Sequence, residues 1–150
     1  MSTITTTDDL QVAVLTVAGE AYAVPIASIK EIVPYERPRP LHGAPAHVVG
    51  VIGLRGTVLP VTDLAVLLDG GAAATGERTT VVFELAHGSV GGIVDEVTQV
   101  ATLRPEEIEP ADSLGELASE AVAGIVRRDD SLAVLLDVEA LLGGTAGPRG

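Results

Sequence analysis

The sequence predicts a mainly β protein of two five-stranded barrels packed side by side, with a short helix after the last strand of each. Three observations predict it. Ten short apolar runs broken by turn residues are spread along the 150-residue chain. The apolar residues are aliphatic, with 21 Val, 17 Leu and 8 Ile against one Phe, two Tyr and no Trp, and β-branched side chains suit a pleated strand. The second half of the chain also repeats the first.

The N-terminal tail, residues 1–9, carries no periodic apolar pattern and is expected to be disordered. Strands are predicted at Leu10–Val17, Tyr22–Ile26, Ile29–Val33, Val48–Ile52 and Thr57–Val61, completing a first barrel at 10–70. The segment from Val33 to His47 holds four prolines and wraps this barrel as an irregular arm, since proline donates no ladder hydrogen bond. In "TDLAVLLDG", Asp63 caps a short helix that a glycine ends. The Gly/Ala-rich stretch at 71–77 reads as a linker.

The second barrel, 78–142, takes strands at Thr80–Leu85, Val90–Val94, Glu96–Val100, Ala123–Val126 and Ser131–Leu136. Its acidic counterpart of the arm, Arg104–Val122, includes a helical turn within Ser113–Ala121. Asp137 caps the closing helix, and residues 143–150 form a second disordered tail.

An offset of 74 places Gly50 on Gly124, Val58 on Leu132, Val61 on Leu135 and Asp63 on Asp137. An offset of 68 aligns Thr16–Ile26 with Glu84–Val94, and Ile29 and Ile32 with Val97 and Val100. Five strands per unit leave exposed edges unless the sheet curls into a small barrel.

A net charge of −12 argues against nucleic acid and anionic membrane surfaces as partners. Zero cysteines exclude disulfides, thiolate metal sites and cysteine nucleophiles. The chain shows neither a leader pattern nor an 18-residue apolar run, and is expected to be soluble and cytoplasmic. His42 and His47 lie in the arm at a spacing that fits no metal site, and His87 sits in a predicted hairpin turn. No phosphate-binding loop and no Gly-x-Ser-x-Gly elbow occur. Asp63, Asp95 and Asp137 follow strands, where capping and turn roles account for them. No catalytic residue, metal site or cofactor is expected, and the profile is that of a binding module.

The stretch "EIVPYERPRPLHGAPAHVVGVIGLRGTVLPVTDL", Glu31 to Leu64, carries the recurring features of a known family: Ile29-Lys30-Glu31-Ile32, a proline arm, Gly50-Val51-Ile52-Gly53-Leu54-Arg55-Gly56, and Pro60-Val61-Thr62-Asp63-Leu64. "GGIVDEVTQV" and "LLDVEALL" extend the match from about Leu10 to Leu142. The sequence resembles the CheW family of bacterial chemotaxis adaptors, with Gly53 where that family commonly has Asn. The resemblance implies two SH3-like barrels and a non-enzymatic scaffold that couples chemoreceptor signalling tips to the histidine kinase CheA, in arrays associated with membrane-bound receptors. An adaptor of a different chemosensory pathway, for surface motility or gene regulation, is the alternative.

The resemblance further implies a receptor-binding groove lined by Ile29, Glu31, Arg55, Val58 and Leu59, with Gly50 and Gly56 as structural turn glycines. Period two places Ile29 and Glu31 on one strand face. Arg55 either contacts a partner or pairs internally with Glu31 or Asp63. The second barrel is expected to meet the kinase regulatory domain. Its equivalent turn carries Arg127, Arg128, Asp129 and Asp130, so a charged tip belongs to both copies.

Overall fold

The computed structural model describes residues 8–45, 47–69, 76–112 and 120–143. Its strands are β1 (Leu10–Val17), β2 (Glu20–Pro25), β3 (Ile29–Pro34), β4 (Val48–Leu54), β5 (Thr57–Asp63), β6 (Thr79–Leu85), β7 (Gly88–Val94), β8 (Glu96–Leu103), β9 (Ile108–Pro110), β10 (Val122–Arg128) and β11 (Ser131–Leu136). Helices α1 (Leu64–Asp69) and α2 (Val138–Leu142) follow β5 and β11. All ten predicted strands are present in outline. β9 is an addition, hidden in the sequence because its three residues lie in a run with two prolines and three glutamates, Pro105–Pro110. The predicted tails up to residue 7 and from 144, the linker over 71–75 and the helical turn over 113–119 lie outside the described residues.

The strands form a six-stranded sheet, ordered β8-β1-β2-β11-β10-β9, and a five-stranded sheet, ordered β3-β6-β7-β5-β4. Laid flat, five strand spacings would hold β8 and β9 about 24 Å apart. The chain from Leu103 to Ile108 spans five residue steps, at most about 18 Å. It is further shortened by a 3-10 turn at Pro105–Glu107, so the sheet must curl to bring its edges together. In the other sheet, a single bridge between Arg39 of the arm and Val51 takes the place of β9.

The repeat is visible in the ladders. β5 runs parallel to β7 with Val61 opposite Gly91, and β11 runs parallel to β2 with Leu135 opposite Ala23. Both β4 and β10 carry a register shift next to a glycine, Gly50 and Gly124.

One expectation needs correction. The sheets do not follow the division into 10–70 and 78–142. The hairpin β1–β2 joins β8–β11, and the hairpin β6–β7 joins β3–β5, so the two repeats exchange their first hairpins. The cause lies in the two apolar faces of these hairpins. On β6, Val82 packs into the five-stranded sheet's own core with Ile52, Leu59, Val61 and Ile93. Val81 and Phe83 pack on the other side, into a core shared with Leu15, Val17, Leu136 and Leu142. On β1, Val12 faces the six-stranded sheet's core while Ala13, Leu15 and Val17 face the shared one. Each exchanged hairpin is therefore buried on both faces, as its continuous apolar sequence requires.

Candidate functional site

The connection between β4 and β5 is two residues long, Arg55 and Gly56, between the paired Leu54 and Thr57. Both have positive φ, 52° and 82°, the backbone of the tight hairpin turn whose twist matches that of its strands. Glycine adopts this conformation readily, whereas Arg55 carries its side chain at a steric cost. Pro60 stands just before the three residues of β5 that pair with β7, so its missing donor interrupts no ladder there. At the end of β5, Asp63 is 1% exposed and accepts a hydrogen bond from the Ala65 amide at 2.9 Å, the predicted cap of α1. Asp137 likewise accepts from Ala140 at 3.1 Å and caps α2.

Arg55 pairs with Glu31. Its Nη1 donates to Glu31 Oε1 at 2.6 Å and to Oε2 at 2.5 Å, joining β3 to the turn. The arginine side chain is 70% exposed and the glutamate only 22%. The hydrogen bond from Arg55 holds the Glu31 carboxyl below the usual carboxylate range, against the upward push of its partial burial. Glu31 in turn raises the Arg55 guanidinium. This leaves a solvent-facing cation in a fixed position, with further donors on its planar fork for a partner's carboxylate or carbonyl.

The other predicted groove residues separate. Leu59 is 4% exposed, belongs to the five-stranded sheet's core and floors a cavity of about 250 Å³ beside Glu31, Arg55, Lys30 and Val82. Val58, its neighbour on β5, points outward and is 69% exposed. Ile29 packs against the shared core. A β-bulge between Ile29 and Glu31 sets Ile29 opposite Phe83 and Glu31 opposite Val82, residues that face the two different cores. The extra residue breaks the period of two, so Ile29 and Glu31 do not share a face. Glu31, Arg55 and Leu59 thus come together, Val58 flanks them outside, and Ile29 lies behind.

Gly50 has φ 154°, and a Cβ there would collide with the carbonyl oxygen of Arg39. Arg39 and Val51 exchange backbone hydrogen bonds of 2.8 and 2.9 Å, so the glycine is what lets the proline arm lie against β4. Gly56 needs only its positive φ, with nothing within 4 Å of a Cβ.

Besides Val58, sequence reasoning assigned no role to the exposed apolar residues. Ile32 at 47%, Val58 at 69%, Val100 at 61% and Leu132 at 66% stand out in water. Ile32 matches Val100 at offset 68, and Val58 matches Leu132 at offset 74. The repeat thus sets an exposed apolar residue at matching places in both sheets, and the outward phase of these strands is what the alignment by itself does not reveal. Among the described residues, no group of three His, Asp or Glu side chains is placed to hold a metal ion.

The model of the CheW-like domain matches residues 11–145. Over 131 residues the chain is 31% identical to the chemotaxis protein CheW of Klebsiella aerogenes, covering 86% of this chain and 79% of that one. It is also 31% identical to the chemotaxis protein CheW of Bacillus subtilis, covering 86% and 84%. The structure superposes on the scaffolding protein TtCheW from Thermoanaerobacter tengcongensis with a TM-score of 0.81 and 24% identity, covering 93% of this chain and 97% of that one, so the two share a fold. With a match across nearly all of its length, and with Leu54-Arg55-Gly56 presented at an open turn, the chain belongs to the CheW-like domain family.

Proposed function

We propose that the chain is a non-enzymatic adaptor that couples chemoreceptor signalling tips to the histidine kinase CheA. The observation that carries this reading is the coincidence of family membership with the surface at the β4–β5 turn, where a braced cation, Arg55, stands beside an exposed apolar residue, Val58. Receptor tips are helical hairpins. Docking one calls for apolar contact with a polar group that fixes register. In this reading Arg55 and Val58 make the contact, Glu31 orients Arg55, Leu59 supports the floor and Ile29 supports β3 from the core side.

The kinase regulatory domain meets the six-stranded sheet, which holds most of the strands from 78–142. The adaptor works in the cytoplasm against membrane-bound receptor arrays and requires no cofactor or metal. None of the helices among the described residues is long and apolar enough to cross a membrane. Separate pull-downs with a receptor signalling tip and with the CheA regulatory domain test the reading. Capture of both supports it, and capture of neither at low salt overturns it.

A further inference from the structure

We propose that the proline arm of the first repeat is a docking rail for an acidic helix of a partner protein, whose carboxylates pair with Arg37 and Arg39. The two repeats supply the comparison. The bridge between Arg39 and Val51 corresponds to the pairing of Glu109 with Ile125, because Val51 and Ile125 lie 74 positions apart. Counting along the arm from that anchor sets Arg37 on Glu107, Pro38 on Ile108 and Pro40 on Pro110. In the six-stranded sheet both glutamates find cations on β10, Glu109 meeting Arg127 at 3.3 Å and Glu107 meeting Arg128 at 3.3 Å. In the five-stranded sheet the arm's two charges are reversed, while the places of Arg127 and Arg128 are taken by Gly53 and Leu54. Arg37 and Arg39 are exposed, and among the described residues neither makes an ion pair. The anions that would complete the pattern have to come from another molecule.

The arm is stiff where it carries these cations. Each arginine precedes a proline, which confines its backbone to extended conformations. Pro38 is buried, and the two hydrogen bonds between Arg39 and Val51 pin the arm to β4, so little backbone freedom remains to be lost on binding. Those bonds use the N–H and C=O of Arg39, which leaves the arm's outer edge to Pro38 and Pro40, neither of which has an N–H to donate. A further strand cannot add there, and a partner must meet side chains. A helix offers carboxylates at i and i+4, with Cβ atoms about 5 to 6 Å apart. Alternate residues of an extended rail stand about 6 to 7 Å apart, a close match.

Gly53 provides the room. It lies diagonal to Arg39, in the place from which Arg127 reaches Glu109, and nothing stands within 4 Å of a Cβ built on it. Val58, paired with Gly53 across the hairpin, is 69% exposed. A glutamate fits this opening, its hydrocarbon stem on Val58 and its carboxylate on Arg39. The charge distribution favours the same occupant. Between Ser28 and Asp63 four cations stand against three acids, of which Glu31 is paired with Arg55 and Asp63 caps α1. The rest of the chain carries five cations and eighteen acids. The molecule as a whole repels an extended polyanion, while this one region attracts a short acidic segment.

Two measurements test the rail, and neither depends on the adaptor reading. In the first, the whole chain is titrated by NMR at low salt with a capped alanine-based helical peptide carrying Glu at i and i+4, with its Gln twin, with phosphatidylglycerol vesicles and with duplex DNA. The Glu peptide is expected to shift the Arg37, Arg39 and Gly53 signals saturably and to bind about fivefold or more tightly than the Gln twin. Arg37→Gln together with Arg39→Gln is expected to remove that difference. Equal binding of the twins, no saturable shift up to about 10 mM peptide, or binding of vesicles or DNA in place of the peptide overturns the proposal. In the second, Gly53→Glu supplies the carboxylate within the chain. Its denaturant midpoint is expected to lie above that of Gly53→Gln, and the gap to close in the Arg39→Gln background and in about 1 M salt. Equal midpoints for Gly53→Glu and Gly53→Gln overturn the placement of Arg39 beside Gly53, and the rail with it.

Discussion

Gly50 and Gly124, 74 positions apart, do the same job in the two sheets: each lies against a backbone carbonyl of the segment that crosses its strand, Arg39 over Gly50 and Glu109 over Gly124. At Gly124 a Cβ would approach the Glu109 oxygen to 2.6 Å. Gly50→Ala adds a positive φ to the collision and is expected to cost about 2 to 4 kcal/mol. Gly53→Ala, with nothing within 4 Å, should stay within about 0.5 kcal/mol of the parent. Denaturant unfolding of both variants checks the contrast.

Arg55→Ala is expected to weaken receptor-tip binding while leaving the unfolding midpoint where it was, because the side chain is mostly in water and braces only Glu31. Side-by-side binding and unfolding curves check this. A variant that unfolds would make Arg55 a structural residue.

Glu31 titrates below the usual carboxylate range because Arg55 hydrogen-bonds to its charged form. A carboxyl with a depressed folded pKa contributes stability above its unfolded value, about 4.3. That contribution is lost as pH falls through the lower, folded value. The pair is therefore intact at neutral pH and opens only in acid. Carbon-detected NMR titration should give a Glu31 midpoint below that of an exposed glutamate, rising toward the usual range in Arg55→Ala.

Phe83 is 1% exposed in the core shared by both sheets. Phe83→Ala is expected to cost about 3 to 5 kcal/mol and to preserve a single unfolding transition, since the shared core couples the sheets. Two separate transitions in calorimetry would argue against that coupling.

A chain cut between the repeats should not fold. Residues 8–69 would keep β3, β4 and β5 but lose β6 and β7, which stand between β3 and β5, and β1–β2 would lack β8 and β11. The dispersed amide spectrum of the whole chain should collapse in either half.

The strand positions and the helix caps were legible because they rest on local pattern: apolar runs, Asp63 and Asp137 before helices, and Arg55-Gly56 at a turn. The hairpin exchange was not. Superposing one repeat on the other gives the same alignment whether β6–β7 pairs with its own copy or the other, so only the tertiary ladders distinguish them. The bulge at Lys30 was equally hidden, since Ile-Lys-Glu-Ile alternates as any strand does, and it is the bulge that moves Ile29 away from Glu31. Leu59 and Val58 are adjacent apolar residues, and composition alone could not assign one to the core and the other to water.

Co-sedimentation tests the coupling role most directly, with receptor signalling tips displayed on vesicles and incubated with full-length CheA in the presence or absence of this chain. The account predicts that CheA pellets with the vesicles to a much greater extent when the chain is present, and that Arg55→Ala largely removes the gain. Equal pelleting of CheA with and without the chain, at concentrations where the chain itself pellets, would contradict it.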